Sequence, residues 1–310
     1  MITQRLQTLL KVVETKNYSK AAEELNLTQP AVSLHIKQLE NDLNVKLFRR
    51  TNHSVELTNE GEIVVKYAIR LNNIYANLKQ SLLDNQYNIK RLNIGLTPSA
   101  ESGIISRILA KYSLEKENLH ITIISDTIKN LYNKLKNFEI DVAFVDGKIM
   151  DEHLNYILLD TDSLVLAVAN HNPLSKKKII SLEDLKNEKL ILRSEESGTT
   201  ELFEHQLQNL GESIHNFEVM MQIDNIAMIK DLVRNNYGVS ILAKSTCLRD
   251  IEKNHFKSVS IENLSMIREL NLVYHKDFTH LDILSEIVNM YQSEKKVIHR
   301  YQSDFPHKSI

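Results

Sequence analysis

Residues 18–50, YSKAAEELNLTQPAVSLHIKQLENDLNVKLFRR, restrict the fold of this chain more than any other stretch. Ser19 offers a side-chain cap, and the alanines and glutamates after it favour one short helix. Asn26-Leu27 ends that helix. Thr28 is placed to cap a second helix starting near Gln29, with Pro30 in its first turn, where a missing N–H costs little. Along this second helix Val32, Ile36, Leu39 and Leu43 fall on one stripe, and such a stripe must face a core. Gln29, Ser33 and Lys37 follow one another on another flank, beside Pro30, Leu34 and Asn41. Amide, hydroxyl and ammonium groups in a row suit base edges and phosphates in a major groove. On an isolated helix plain solvation explains such a face more simply, so the surrounding pattern has to decide.

That pattern is Ala21-Ala22, Leu25, Gln29-Pro30-Ala31-Val32-Ser33, Ile36, Leu39-Glu40, Leu43 and Leu47-Phe48-Arg49-Arg50 at fixed spacing. It resembles the winged helix-turn-helix of the LysR-type transcriptional regulators. Asn44 stands where that family usually has glycine, and asparagine tolerates the left-handed backbone the turn requires. The resemblance implies that Thr28, Gln29, Pro30, Ser33, Leu34, Lys37, Arg49 and Arg50 lie against DNA. In these roles Gln29 and Ser33 meet base edges, Leu34 a thymine methyl, and Lys37, Arg49 and Arg50 the phosphates. His53, at the tip of the wing, is either a phosphate or minor-groove contact or a solvated turn residue.

Before this stretch, Leu6, Leu9, Leu10, Val12 and Val13 form the stripe of a first helix ending near Asn17. Three helices this short bury little surface, so the unit needs the wing over 46–58 and the segment after it. From Thr58 to about Tyr87 runs one long helix without proline. Thr58 caps it, and Glu60 and Glu62 complement its dipole. Val64, Tyr67, Leu71, Ile74, Leu78 and Leu82 make a narrow apolar seam along roughly 40 Å at 1.5 Å per residue. A seam that narrow suits a partner helix, and the family uses this segment as a dimer linker. The charge of 1–58 is only mildly positive, with eight lysines and arginines against six acids, so charge alone would not have found a nucleic-acid surface.

Beyond Asn88 the periodicity alternates. Strands are expected at 91–97, 120–125, 141–145, 156–159 and 164–169, with helices at 99–116 and 127–137. The chain is expected to leave this sheet near 170–173. A second set follows, with helices at 181–186, 197–210 and 225–235, and strands at 190–192, 217–223, 239–243, 256–260 and 270–274. A closing helix covers about 280–294. Repeated βα units imply mostly parallel sheets flanked by helices. Two α/β lobes joined by two crossings resemble the effector domain of the same family, which is like a periplasmic binding protein of type 2. The expected organisation is a winged helix-turn-helix domain over 1–58 (helix-turn-helix about 18–37) and a linker helix over 59–88. An α/β effector domain spans 89–294, with lobe I about 89–165 and 266–294 and lobe II about 166–265, and a tail follows over 295–310.

In open α/β sheets ligands collect beyond the C-terminal ends of strands, near helix N-termini. Thr97-Pro98-Ser99 and Arg193 with Ser197-Gly198-Thr199-Thr200 occupy two such joints, where hydroxyls, free N–H groups and a guanidinium make a cradle for a small anion. Ser99 and Ser197 would also be ordinary helix caps. The run RSEESGTT resembles a segment in branches of the family that sense small anionic metabolites or inorganic anions, except that Thr200 stands where those branches usually have an arginine or similar residue. Asp126 and Asp146 end two first-lobe strands. If they line the same cleft they argue against a highly charged anion, or for a ligand that also has an amine.

The expected function is that of a sequence-specific regulator whose partners are double-stranded promoter DNA, a small-molecule effector, further copies of itself as a homodimer or homotetramer, and RNA polymerase. The rival is a two-lobed binding protein without a DNA function, against which residues 1–88 speak. An enzyme is not expected, since the chain has no Gly-x-Ser-x-Gly elbow, Gly-rich phosphate loop or His-Glu-x-x-His motif. Its single cysteine, Cys247, rules out an internal disulfide and fits a reducing compartment, and neither a metal nor another cofactor is expected. The charged N-terminal stretch is unlike a signal peptide, and no apolar run reaches membrane-spanning length, so a cytoplasmic protein without a membrane role is expected.

Overall fold

A computed structural model describes residues 2–50, 55–101 and 104–304, the side chains of 2, 3, 50 and 297–304 excepted. Residues 1–89, together with 136–139, form one compact unit, and 90–135 with 140–310 form the other. Among the described residues no helix is long and apolar enough to cross a membrane.

The first unit contains helices α1 (Ile2–Thr15), α2 (Tyr18–Glu24) and α3 (Gln29–Leu43), an antiparallel hairpin of β1 (Phe48–Arg50) and β2 (Val55–Leu57), and the long helix α4 (Asn59–Gln86). The cap of α2 is Asn17 and not Ser19. The Asn17 carboxamide oxygen accepts from Ser19 N at 2.8 Å and Lys20 N at 3.1 Å, which places Ser19 inside the helix. Thr28 caps α3, accepting from Ala31 N at 3.3 Å. Asn44 closes α3 at φ 53° and ψ 40°, the left-handed conformation expected of it. Glu40 pins the next turn by accepting from Leu47 N at 2.9 Å and Lys46 Nζ at 2.8 Å.

Leu9, Val12, Ala22, Val32, Ile36 and Leu39 form the core of this unit, each gaining roughly 1.5–3 kcal/mol where a large side chain is fully buried. Leu47 and Ala68 complete it, so the wing and α4 supply the surface the three short helices lack. Leu43 departs from expectation. It is 46% exposed, because the helix has reached its last turn and passed the edge of the core. Gly61 has a packing reason: a Cβ there would sit 2.2 Å from the Leu47 carbonyl oxygen.

In the second unit the chain forms β3 (Lys90–Leu96), α5 (Pro98–Glu101), α6 (Ile105–Glu115), β4 (Leu119–Ser125), α7 (Ile128–Lys136), β5 (Val142–Asp146) and β6 (Leu154–Ala169). It continues through β7 (Ile179–Ile180), α8 (Leu182–Lys186), β8 (Lys189–Leu192), α9 (Gly198–Asn209), β9 (Glu218–Gln222), α10 (Ile226–Arg234), β10 (Ser240–Ala243), α11 (Lys244–Glu252), β11 (Phe256–Ile261), β12 (Ile267–His275) and α12 (Leu281–Asp304). Strands β4-β3-β5-β12-β6 form the first lobe, with β3 parallel to β4 and β5, and β12 antiparallel to β5 and β6. Its cores include Leu92, Ile94, Phe144 and Leu272 on one side of the sheet and Leu131, Val145 and Val273 on the other.

The two strands expected at 156–159 and 164–169 are one continuous strand, β6. It pairs with β12 as far as Ser163, and from Leu164 with β10 and β11 of the second lobe. The chain therefore changes lobes inside a strand, ahead of the 170–173 turn. The return crossing lies beside it, where Leu164 N donates to Met266 O at 2.8 Å. The helix expected at 99–116 is two pieces, α5 and α6, with Ser102 and Gly103 outside the described residues. Helix α11 was not expected at all, and α12 runs on to Asp304, into the segment read as a tail.

Candidate functional site

Two sites emerge, one in each unit. On α3 the buried stripe of Val32, Ile36 and Leu39 fixes the rotation of the helix, leaving Gln29, Pro30 and Lys37 exposed, Leu34 52% exposed and Ser33 half-buried. Gln29 Nε2 donates to Ser33 Oγ at 3.0 Å, so amide and hydroxyl are held as a pair. Thr28, exposed at the helix start, is occupied in capping. On the wing, Arg49 Nε lies 3.1 Å from Glu56 Oε2 across the hairpin. Both side chains are exposed, and such a pair is worth at most about 1 kcal/mol, so a phosphate competes readily for the guanidinium. Arg50 follows on β1 with its side chain outside the described residues, and His53 also lies outside them.

The second site is a cleft of about 320 Å³ in the second unit, between the ends of first-lobe strands and the β8–α9 joint. Of the residues expected to bind an effector, Thr97, Ser99, Asp126, Arg193, Ser197 and Gly198 line it. Thr199 does not. It is buried beside the cleft, where its hydroxyl accepts from Arg268 Nη1 at 3.2 Å. Thr200 belongs to the scaffold of the same turn, receiving a hydrogen bond from Ser197 Oγ at 3.1 Å and donating to Arg193 O at 3.0 Å. Ser197 Oγ also accepts from Thr200 N at 3.2 Å and thereby caps α9.

Thr97 Oγ1 donates to Asp146 Oδ2 at 2.8 Å, which ties the ends of β3 and β5. Asp126 accepts from Thr127 N at 2.8 Å and Asn130 Nδ2 at 2.7 Å and lies 3.8 Å from Lys134 Nζ. Arg193 and Arg268 are 5% and 7% exposed. Arg193 Nη2 lies 3.6 Å from Asp224 Oδ1, and Arg268 Nη2 lies 3.6 Å from Asp146 Oδ1 and 3.9 Å from Asp162 Oδ2. These separations exceed a hydrogen bond. Among the described residues, Arg193 Nε and both Nε and Nη2 of Arg268 have no hydrogen-bond partner. Burial pulls the Arg193 guanidinium below the usual arginine range; Asp224 opposes that shift and the Arg268 charge adds to it.

Sequence reasoning missed Arg268, Asp224 and Glu196 in the cleft. Arg268 did leave a signal: it alternates with Leu270 on β12, so a cation occupies an in-facing position of a strand. Asp224 and Glu196 lie in connections whose course only the packed lobes define. Cys247 has no part in either site. Burial pushes its thiol up to about 12, which keeps it protonated and unreactive at neutral pH.

A helix-turn-helix with a wing, in one chain with a two-lobed α/β domain that holds a polar cleft, defines a DNA-binding regulator with a ligand-binding domain. Residues 3–62 match the bacterial regulatory helix-turn-helix protein, lysR family, and residues 85–294 match the LysR substrate binding domain. The chain belongs to the LysR family, and is a LysR-type DNA-binding transcriptional regulator with an effector-binding domain; the family consists of regulators rather than enzymes. It is 28% identical over 270 residues to the HTH-type transcriptional regulator CysL of Bacillus subtilis, covering 87% of this chain and 89% of that one. An uncharacterized HTH-type transcriptional regulator of Methanocaldococcus jannaschii is 31% identical over 270 residues, covering 86% and 90%. The solved structure of full-length CbnR with its target DNA shares the fold, with TM-score 0.66, 18% identity and coverage of 94% and 99%.

Proposed function

We propose that this regulator binds promoter DNA through α3 and the wing, oligomerises through α4, and changes its DNA-bound arrangement when a small effector with an anionic group enters the cleft. The observation that carries the DNA reading is the orientation of α3: its aliphatic stripe is buried, so Gln29, Pro30, Leu34 and Lys37 face outward together, with Ser33 beside them. In this reading residues 1–58 are the DNA-binding part, 59–88 the dimer helix and 89–294 the effector part. Gln29 and Ser33 read base edges, Leu34 packs on a thymine methyl, and Thr28, Pro30, Lys37, Arg49 and Arg50 seat the phosphate backbone. A two-fold dimer places two such helices about one duplex turn apart. Two dimers make a homotetramer, RNA polymerase is the downstream partner, and the setting is the cytoplasm.

The effector part of the reading is supported by two buried guanidiniums with unpartnered N–H groups at the start of α9. The test uses the full-length chain and the DNA upstream of its own gene. Fluorescence anisotropy gives specific binding whose log affinity falls linearly with log salt, by about 0.9 per phosphate neutralised. Ser33→Arg abolishes the specific footprint with melting temperature and oligomer size unchanged. A footprint retained in that variant overturns this placement of α3.

A further inference from the structure

We propose that the ligand of the cleft is a zwitterion, a small molecule that presents a carboxylate and an ammonium group together, as α-amino acids do. The inference rests on the cleft being the effector site and names the chemical class it takes. Among the described residues the wall carries six formal charges: Arg193 and Arg268 against Asp126, Asp146, Glu196 and Asp224. A cradle with two guanidiniums calls for an anion, yet its wall is net negative by two. Sulfate, phosphate or a dicarboxylate would gain two cations and meet four carboxylates, and a simple amine would leave the guanidinium N–H groups unmet.

Both halves of that balance are built in. Arg193 and Arg268 are buried; among the described residues Nε of Arg193 and both Nε and Nη2 of Arg268 lack a hydrogen-bond partner, and the carboxylates beside the two Nη2 atoms lie at 3.6–3.9 Å, too far to bond them. A ligand carboxylate completes those bonds beside the N–H groups opening α9. The first lobe, which also carries Arg268 on β12, presents Asp126 and Asp146, held in place by Thr127, Asn130 and Thr97. Carboxylates fixed in this way are acceptors for an ammonium group. Arg268, Asp126 and Asp146 stand on the first lobe and Arg193, Glu196 and Asp224 on the second, so a ligand with its two charges a few bonds apart meets a partner for each charge on either wall, whereas an ion of one sign meets like charges on both. The volume of about 320 Å³ is at the small end for ligand pockets and suits a molecule of amino-acid size.

The test is isothermal calorimetry on the full-length protein with three sets of probes: the genetically encoded amino acids, the same skeletons lacking the amino group, and sulfate, phosphate and succinate. At least one amino acid binds, at least tenfold more tightly than its amine-free counterpart. Asp126→Asn, which keeps an acceptor for Thr127 N, weakens that amino acid about tenfold and leaves or improves binding of the amine-free acid. Circular dichroism and the ligand-free melt establish that the variant is folded. If sulfate, phosphate or succinate binds most tightly, and Arg193→Gln abolishes it, the cleft is the effector site and the zwitterion inference is wrong. If the tightest probe of any class is unaffected by Arg193→Gln, the cleft reading itself falls. Failure of every amino acid to bind overturns the zwitterion inference as well.

Discussion

Asp250 shows how much one buried carboxylate organises. It sits on α11 with Lys230 Nζ at 2.8 Å, Arg234 Nη2 at 3.0 Å and His255 Nδ1 at 3.2 Å, so two cations from α10 and a potential cation from the turn after α11 converge on it. Burial alone would raise its pKa, but the hydrogen bonds from Lys230, His255 and Arg234 outweigh burial and hold it below the ordinary carboxylate range. A carboxyl whose folded pKa is depressed stabilises the fold above its unfolded value, and that contribution is lost as pH falls through the folded one. Asp250→Asn therefore costs about 1–2 kcal/mol at neutral pH, discounted from the fully buried case because Arg234 is partly solvated. The gap between variant and parent should shrink as pH drops below about 4, where carboxylates ordinarily protonate. Urea titrations at neutral pH and at about pH 3 measure it, and a gap of equal size at both would refute the assignment. The cleft arginines follow opposite logic: their nearest carboxylates stay beyond hydrogen-bond length, so their capacity is left for a ligand.

Among the elements, α4 is the clearest case of a surface made for something else. Tyr67, Leu71, Ile74, Leu78 and Leu82 are 46–64% exposed along one seam, while only the N-terminal part of the helix joins the core of the first unit, through Val64, Val65 and Ala68. A soluble helix seldom leaves such a row uncovered. Replacing Leu71 and Leu78 with glutamate should convert the proposed dimer to monomer, raising its dissociation constant at least a hundredfold, with helix content retained. Sedimentation velocity reads the change, and an unaltered sedimentation coefficient would exclude the seam as the interface. The remaining elements follow local chemistry closely. Thr28 and Thr58 start α3 and α4, Asn44 ends α3, and each can be read from a few residues. Strand β6 cannot be read this way. Residues 160–163, Asp-Thr-Asp-Ser, look like a turn, yet the strand passes through them because β12 supplies ladder partners on one side.

At the scale of the whole molecule, the second unit is two lobes joined by crossings that lie side by side, one inside β6 and one entering β12, with the cleft between them. Adjacent crossings of this kind suit hinge closure on a ligand that bridges the lobes. Thr97→Ala or Ser197→Ala, one on each wall, should raise about tenfold the concentration of the amino acid found by calorimetry that half-saturates the DNA response. DNA affinity without ligand should hold. That factor, about 1.4 kcal/mol, lies within the roughly 0.5–1.5 kcal/mol net worth of one hydrogen bond, and gel shifts across a ligand titration decide it; a parallel loss of ligand-free binding would assign both residues a merely structural role. The sequence by itself determined the helix-turn-helix, the caps of α3 and the start of α4, the outward face of α3, the seam of α4 and the two lobes of α/β units, because periodicity and capping act over a few residues. It also pointed to Thr97, Ser99, Asp126, Arg193, Ser197 and Gly198 as cleft residues, since strand ends and helix starts carry local signatures. Only the tertiary structure decided that Thr199 braces Arg268, that Arg268, Asp224 and Glu196 complete the wall, and that one strand serves both lobes. Those are outcomes of pairing between segments far apart in the chain, where the energy lies in contacts that no local pattern encodes.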